Sequence, residues 1–237
     1  MKGQYIADLF CGHGGVARAL EKLGFACKSF DIINGQHQDL CSRKVKKQLK
    51  QDAQRGKLRA AMLGPPCTSF SVARDRTAVI RTQQFPWGLQ NVSEKDREKL
   101  DIGNACMKAA IELISFFHKL GIPWILEHPA SSKAWYLPEL RSFLGRAYVY
   151  EVTCDFCQYG TAWRKRTRLL CGHCDGLDLV RISKMCSGRG VCSRTRKPHL
   201  QLTGSSPQGV PWTRVAQPYP PKLCHDLAFV LTAPLRD

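Results

Sequence analysis

Runs of apolar residues alternate with amphipathic stretches over most of the chain, and this alternation predicts strands and helices in turn. The predicted strands cover residues 5–10, 25–30, 58–63, 124–126 and 147–152. The first predicted helix begins after Gly15. The other predicted helices cover residues 42–54, 93–120, 138–145 and 222–231. Strands that alternate with helices are typical of an α/β protein.

The first predicted strand leads through a glycine-rich turn, residues 11–15 (CGHGG), into a helix and a second strand that ends at Asp31. This order is the layout of a nucleotide-binding βαβ unit, in which glycines let the backbone approach a ligand. A carboxylate at the end of the second strand can accept hydrogen bonds from both ribose hydroxyls. The spacing differs from the dinucleotide pattern G-x-G-x-x-G, so we do not predict NAD. A purely structural βα turn is the alternative.

Two further strand ends carry reactive side chains. Residues 64–67 (GPPC) follow the third strand, and their two prolines predict a rigid loop because proline restricts φ and lacks an N–H. Such a loop can present Cys67 as a nucleophile, and the alternative is a tight turn with a buried cysteine. Glu127 ends the next strand, before His128 and Pro129, where it could handle a proton. The alternative for Glu127 is a surface carboxylate.

Residues 68–92 show no clear period and carry Arg74, Arg76 and Arg81. A loop of this length inside a compact domain is usually functional or mobile. Next to a candidate nucleophile, we expect it to close over a substrate and to contact phosphates.

The charge balance favours a polyanionic partner. Lysine and arginine number 36 against 19 acidic residues, a formal net charge of +17, and nucleic acid is the simplest such partner. The 12 cysteines follow no apolar leader segment, because Met1 and Lys2 lead almost directly into the first strand. We therefore expect reduced, catalytic or metal-bound thiols and no membrane span. The expected location is intracellular: nuclear in a eukaryote, cytoplasmic in a prokaryote or a phage.

The composition changes after residue 170, where glycine, serine, cysteine and basic residues dominate. We predict a catalytic domain over residues 1–170, a small irregular insert over 171–217 and a returning C-terminal helix within 218–237. Cysteine and histidine at such spacings can close a zinc site in a segment with a thin core. The candidate zinc ligands are Cys171, Cys186, Cys192 and His199, and reduced cysteines are the alternative. A second set, the pairs Cys154/Cys157 and Cys171/Cys174, is discounted because an extended strand between the pairs would hold them apart.

Taken together, these motifs resemble the cytosine-C5 DNA methyltransferase family. Residues 8–15 (DLFCGHGG) are similar to its D-L-F-x-G-x-G-G cofactor motif, and residues 64–71 (GPPCTSFS) to its G-P-P-C-x-x-F-S nucleophile motif. The resemblance implies a class I methyltransferase fold: a Rossmann-like, mostly parallel sheet with helices on both faces, plus the insert as a small target-recognition region. It also implies S-adenosylmethionine as cofactor. The implied cofactor-binding residues are Asp8, Phe10, Cys11, Gly12, Gly14, Gly15, Asp31, Asp39 and Pro65.

The resemblance implies that Cys67 adds to C6 of cytosine, which activates C5. It also implies that Glu127 supplies a proton or a hydrogen bond to N3 and accepts a hydrogen bond from the N4 amine. The family's Gln-x-Arg-x-Arg segment is matched only loosely. One register puts Lys165 at the first arginine; a shift by one offers Arg166, supported by Arg164, and we favour the arginines. Two other departures are the histidine after Glu127, where asparagine is usual, and residues 219–221 (YPP) where the family has Gly-Asn-Ser.

We therefore predict an enzyme that methylates C5 of cytosine in DNA through a covalent adduct with Cys67. Its expected substrate is double-stranded DNA with the target base flipped out of the stack, and we expect a monomer. One alternative is the same chemistry on RNA, since one branch of the family methylates transfer RNA. Another is a nucleic-acid-binding module of this fold that has lost catalysis.

Overall fold

Six strands form one sheet in the computed structural model, which describes residues 3–236. They are β1 Tyr5–Leu9, β2 Cys27–Phe30, β3 Leu58–Leu63, β4 Trp124–Pro129, β5 Val149–Asp155 and β6 Arg166–Gly172. Met1, Lys2 and the predicted domain limits at residues 1 and 237 lie outside the described residues.

The strands follow the order β2-β1-β3-β4-β6-β5. The first four are parallel, and β6 runs antiparallel between β4 and β5. The register aligns Leu9, the last residue of β1, with Leu63, the last residue of β3, and Leu63 with Leu126 of β4, which continues to Pro129. The loops that follow these three strands therefore meet at one edge of the sheet, where α/β proteins bind ligands.

Helices cover both faces of the sheet, which confirms the predicted Rossmann-like arrangement. They are α1 Gly15–Lys22, α2 Arg43–Gln54, α3 Glu94–Lys119, α4 Pro138–Arg141, α5 Trp212–Val215 and α6 Pro221–Thr232. On one face, Leu49 of α2 and Phe117 of α3 are fully buried in a cluster with β1, β3 and β4. On the other face, Leu20 of α1 packs with Leu223 and Leu227 of α6. Within residues 3–236 no helix is both long and apolar enough to cross a membrane.

The local helix signals place α3 closely. Ser93 caps it, and its side chain accepts a hydrogen bond from the backbone N–H of Asp96, as the sequence predicts. The helix ends before Gly121, whose φ of 68° is left-handed. The predicted helix over 138–145 is shorter, because α4 ends at Arg141, and the strand predicted over 147–152 continues to Asp155.

The first residues of the predicted insert, which begins at residue 171, pack with the core of the protein. Cys171 and Gly172 complete β6 and pair with β4 and β5. Leu179 and Ile182 then pack against α6 in the main hydrophobic cluster. The irregular segment therefore begins after Ile182, because the apolar residues before that point still belong to the core.

Candidate active site

A cavity of about 480 Å³ opens at the ends of β1, β3 and β4, within the size range of small-molecule sites. It brings together most of the residues that the two motifs contribute. The predicted site residues that line it are Asp8, Phe10, Cys11, Gly12, Gly15, Asp31, Pro65, Cys67 and Glu127. The turn after β1, the proline loop after β3 and the Glu127 carboxylate near the end of β4 therefore share one site.

The turn after β1 forms a cradle of backbone amides around the Asp31 carboxylate. Phe10 and Gly12 adopt left-handed conformations, with φ of 55° and 48°. The backbone N–H of Gly12 donates to Oδ2 of Asp31 at 3.0 Å, and the N–H of Ile33 donates to Oδ1 at 3.1 Å. Each carboxylate oxygen has a second lone pair, so Asp31 can still accept from two neighbouring hydroxyl groups. These two remaining acceptor positions fit the ribose hydroxyls of a nucleoside cofactor.

Asp8 lies beneath this cradle and is only 3% exposed. Its Oδ2 accepts the backbone N–H of Ala17, near the start of α1, at 3.1 Å. Burial raises the pKa of Asp8 to about 7, although the hydrogen bond from Ala17 acts to lower it. Asp8 is therefore a carboxyl group that titrates near neutral pH inside the cavity.

The loop that carries Cys67 is held in place by a buried arginine. The guanidinium of Arg81 donates to the carbonyl oxygen of Ser69 at 3.1 Å and to its hydroxyl at 2.9 Å. It also stacks on the ring of Phe70, 3.7 Å from the ring centroid. The N–H of Phe70 closes the turn onto the carbonyl of Cys67 at 3.0 Å. The thiol is thus presented by a loop fixed on both sides.

This role differs from the predicted role of the loop arginines. Arg81 is fully buried and bound within the protein, so it cannot contact phosphates. Arg74 forms an ion pair with Asp96. Arg76 is exposed. Sequence alone missed the clamp because the partners of Arg81 come from separate segments.

Glu127 is nearly buried and is bound by two hydroxyl groups. The Thr167 hydroxyl on β6 donates to Oε1 at 3.2 Å, and the Tyr219 hydroxyl donates to Oε2 at 2.8 Å. Tyr219 also lies over Gly64, where an added Cβ would come within 2.6 Å of the tyrosine oxygen. Sequence reasoning missed Tyr219 as a site residue, although it noted that Tyr219 replaces an expected motif.

The environment of Cys67 keeps its thiol protonated in the resting protein. Burial raises the pKa of Cys67, and the nearby Glu127 carboxylate raises it further. The positive charge of Lys165 opposes both effects. Lys165 lines the cavity, with its amine 4.7 Å from the ring centroid of Phe156.

The predicted arginines Arg164 and Arg166 do not line the cavity, which corrects the favoured register. Both donate to the buried carboxylate of Asp155, with Nε–O distances of 3.1 Å. Burial acts to raise the pKa of Asp155, but the hydrogen bonds from Arg166 and from the N–H of Cys186 hold it below its usual value. Lys165, the residue between the two arginines, lines the cavity instead.

His128, the departure after Glu127, serves packing. It is fully buried, and its ring lies edge-on to Phe70 and Trp135 at centroid distances of 5.7 and 6.3 Å. Burial lowers the pKa of His128 to about 3, so the imidazole is neutral. His128 therefore supports the loop of Cys67 as an uncharged ring.

Two predicted cofactor residues lie outside the cavity lining. Gly14 precedes α1 with a left-handed φ of 62° and shapes the turn. Asp39 accepts the N–H of Cys41 at 2.8 Å, in a connection of two short 3₁₀ turns between β2 and α2. This hydrogen bond turns one carboxylate oxygen of Asp39 toward its own backbone, and its contact with a cofactor stays a prediction.

The predicted zinc ligands are brought together only in part. Cys186, Cys192 and His199 lie within 4.8 Å of one another and of a fourth residue, Cys157. Cys171 is instead buried in β6, so the structure places Cys157, and not Cys171, in this group. In the sequence, Cys157 belongs only to the set Cys154/Cys157 and Cys171/Cys174, which is discounted because an extended strand would hold the two pairs apart.

The residues after the irregular segment also reach the cavity. Arg214 of α5, Gln217 and Pro218 form part of its wall. No sequence pattern had singled them out. They place a positive charge from the C-terminal part of the chain beside the motif residues.

One family model matches the N-terminal part of the chain. Residues 5–91 match the model described as C-5 cytosine-specific DNA methylase, which confirms the sequence resemblance over that part of the chain. A search of curated proteins finds no match.

Among solved structures, the Entamoeba histolytica methyltransferase EhMeth aligns over 100% of this chain and 100% of its own, at 10% identity and a TM-score of 0.48. The S. pombe Dnmt2 methyltransferase aligns over 80% of this chain and 57% of its own, at 13% identity and a TM-score of 0.40. Both TM-scores are below 0.5, so the functional proposal draws its support from the family match and from the cavity.

Proposed function

We propose that this chain, whose residues 5–91 match the C-5 cytosine-specific DNA methylase family, transfers a methyl group from S-adenosylmethionine to C5 of cytosine in DNA. One observation carries the proposal: Cys67 and Glu127 line the same cavity as the glycine turn and Asp31. A nucleophile, a carboxylate for the base and a nucleoside cradle are the three parts that this reaction needs.

The cofactor would be held by the turn after β1. Asp31 offers acceptors for the ribose hydroxyls, and the backbone from Phe10 to Gly15 offers close contact to the rest of the molecule. When bound, S-adenosylmethionine supplies an electrophilic methyl group on a sulfonium centre.

Cys67 opens the reaction by adding its sulfur to C6 of the cytosine ring. The bond that forms is S–C6, and the electron pair of the C5–C6 double bond moves through the ring toward N3, which takes up a proton. The C5 atom of the resulting enamine is nucleophilic, whereas C5 of free cytosine is not. After methylation the C5 proton leaves, the S–C6 bond breaks, and Cys67 is restored.

Glu127 moves and holds protons on the base. The Tyr219 and Thr167 hydroxyls each occupy one lone pair of its carboxylate, which leaves acceptors for the N4 amine and for a proton shared with N3. The proton that Cys67 loses can thus end on N3 through Glu127. The Tyr219 hydroxyl also fixes the orientation of the carboxylate.

Lys165 is the cation that we assign to the polarised ring. It lines the cavity, while Arg164 and Arg166 are held by Asp155. Its charge favours the thiolate of Cys67 and the negative charge that develops on the ring at O2.

A nucleic-acid substrate agrees with the excess of positive charge, +17 overall. A cytosine in a duplex has to leave the base stack to enter this cavity. We propose DNA as the substrate. A trapping experiment with DNA and with RNA distinguishes the two.

The test uses the full chain, labelled S-adenosylmethionine and 5-fluorocytosine placed in either duplex DNA or a structured RNA. Fluorine cannot leave C5 as a proton does, so the adduct with Cys67 is trapped and survives denaturing electrophoresis. We expect a trapped complex with DNA that is lost in Cys67→Ser. Cys106→Ser, which alters a half-buried thiol of α3 outside the cavity, is the matched control and should still trap.

Each outcome is decisive. A complex with RNA alone moves the substrate to RNA and keeps the chemistry. No complex with either nucleic acid refutes the enzyme and favours a binding module. A complex that persists in Cys67→Ser refutes the assignment of the nucleophile.

A further inference from the structure

We propose that Cys157, Cys186, Cys192 and His199 bind one structural zinc ion, which ties the irregular segment after Ile182 to the catalytic core. This proposal is independent of the proposed methyl transfer. It rests on ligand geometry, on the chemistry of the donor set and on how residues 183–211 are packed.

The four ligand atoms are spaced for a tetrahedral ion. All lie within 4.8 Å of one another, and Sγ of Cys186 is 3.7 Å from Nε2 of His199. Zinc bonds of about 2.3 Å to sulfur and about 2.0 Å to nitrogen put tetrahedral ligands roughly 3.5–3.8 Å apart. Small side-chain shifts are enough to close the site.

The donor set selects zinc and a structural role. Three thiolates and one imidazole are sulfur and nitrogen ligands that suit zinc, whereas magnesium and calcium bind oxygen ligands. Four protein ligands fill a tetrahedral shell, so no position is left open for catalysis. Binding releases the thiol protons, and three thiolates with one dication leave a single negative charge in a basic surrounding.

Two of the proposed ligand sulfur atoms, those of Cys157 and Cys186, accept hydrogen bonds in the structure. The backbone N–H and the hydroxyl of Ser193 donate to Sγ of Cys186 at 3.4 and 3.5 Å. The side-chain amide of Gln158 donates to Sγ of Cys157 at 3.5 Å. Such donors stabilise thiolate ligands, as outer-shell partners do in metal sites.

The turn between the two insert cysteines permits only glycine at one position. A Cβ at Gly188 would lie 1.8 Å from the carbonyl oxygen of Val191. The N–H of Cys192 then pairs with the carbonyl of Lys197 at 2.8 Å, which starts a second tight turn toward His199. The backbone between the ligands is thus folded into two turns that point them inward.

Residues 183–211 have almost no apolar core of their own. The buried residues of this segment are Cys186, Cys192 and Ser206, and it contains neither an α-helix nor a strand of the sheet. Its hydrophobic cluster consists of Cys157, Cys186 and Cys192 alone. A segment without an apolar core needs another source of stability, and a metal centre supplies it in small modules.

The site would also brace the loop that carries Lys165. The guanidinium of Arg164 donates to the carbonyl oxygens of Cys186 and Gly188 at 2.9 and 3.2 Å. The N–H of Leu200, next to His199, donates to the carbonyl of Ala162 at 2.9 Å. Loss of the ion would loosen this loop as well as the insert.

The first test is metal analysis of the full chain, loaded with zinc chloride under reducing conditions and dialysed. We expect about one zinc per chain in the wild type and in Cys171→Ala, and almost none in Cys157→Ala. These two variants separate the structural ligand set from the set that sequence alone suggested. Cys106→Ser controls for the loss of an unrelated thiol, and circular dichroism checks that each variant keeps its helices.

The second test uses the wild type only, so it does not depend on whether a variant folds. Zinc should protect Cys157, Cys186 and Cys192 from alkylation, as read by peptide mass spectrometry, while Cys106 reacts equally with and without the metal. Zinc should also slow tryptic cleavage within residues 183–211. A loaded protein that retains no zinc, or full zinc retention in Cys157→Ala, overturns the proposal.

Discussion

The buried carboxyl of Asp8 should make the protein less stable as the pH rises through the weakly acidic range. Burial raises the pKa of Asp8 from 3.8 to about 7, so the folded state holds a proton that the unfolded chain has already lost. Below about pH 4 both states are protonated and the group costs nothing. Between about pH 4 and pH 7 the folded state binds more protons, and the free energy of unfolding falls.

The shift of about three pKa units corresponds to about 4 kcal/mol once the pH exceeds 7. Asp8→Asn removes the titration but keeps the shape and an oxygen that can accept the N–H of Ala17. Relative to the wild type, we expect the variant to gain about 2.5 kcal/mol of unfolding free energy between about pH 5 and about pH 8.

Urea unfolding of both proteins at these two pH values, without cofactor, measures the difference. Asp101→Asn, at an exposed position of α3, is the matched control and should follow the wild type at both values. Parallel stability curves for the wild type and Asp8→Asn would show that Asp8 ionises in the fold without cost. That result would refute the argument from burial.

Three other substitutions test the cavity. Tyr219→Phe removes a hydrogen bond to the Glu127 carboxylate worth about 1.5–3 kcal/mol, so single-turnover methyl transfer should slow roughly 10- to 100-fold; an unchanged rate would exclude a role in orienting the base. Gly64→Ala should cost about 1–3 kcal/mol in urea unfolding, because its Cβ would lie 2.6 Å from the tyrosine oxygen, and adding Tyr219→Phe should recover part of the loss; additive effects would contradict this contact. Lys165→Met should raise the pKa of Cys67, shifting its alkylation rate to higher pH, whereas Lys165→Arg should not; identical profiles would place the lysine charge elsewhere.

Much of the architecture could be predicted from local patterns. The strand, turn and helix from Tyr5 to Lys22 follow from an apolar run, a glycine turn and a helical period. The position of α3 follows from Ser93 at its start and Gly121 after its end. These signals work because each depends on residues that are neighbours in the chain.

The two motif loops could also be located, because β1, β3 and β4 are parallel strands whose ends share one edge. Cys67 and Glu127 are therefore candidates for the same site on sequence grounds. The amino-acid types at these strand ends were enough to suggest the chemistry.

The direction in which a side chain points, and the group that it binds, could not be predicted from the sequence. Whether Lys165 or its neighbouring arginines faces the cavity depends on the carboxylate of Asp155, which holds Arg164 and Arg166 on the other side. The sequence also suggests Arg81 as a phosphate contact. In the structure Arg81 is buried, donates to Ser69 and stacks on Phe70, and so holds the loop of Cys67 in place.

The sequence by itself determined the order of strands and helices, the glycine turn, the proline loop and the carboxylate near the end of β4, since each depends on residues that are adjacent in the chain. Only the tertiary structure decided that Tyr219, 92 residues away, binds Glu127, and that Cys157 rather than Cys171 joins the cysteines of the insert. The physical reason is that these choices depend on strand pairing and packing between distant segments. A local pattern of apolar and polar residues carries no record of which distant side chain will lie opposite.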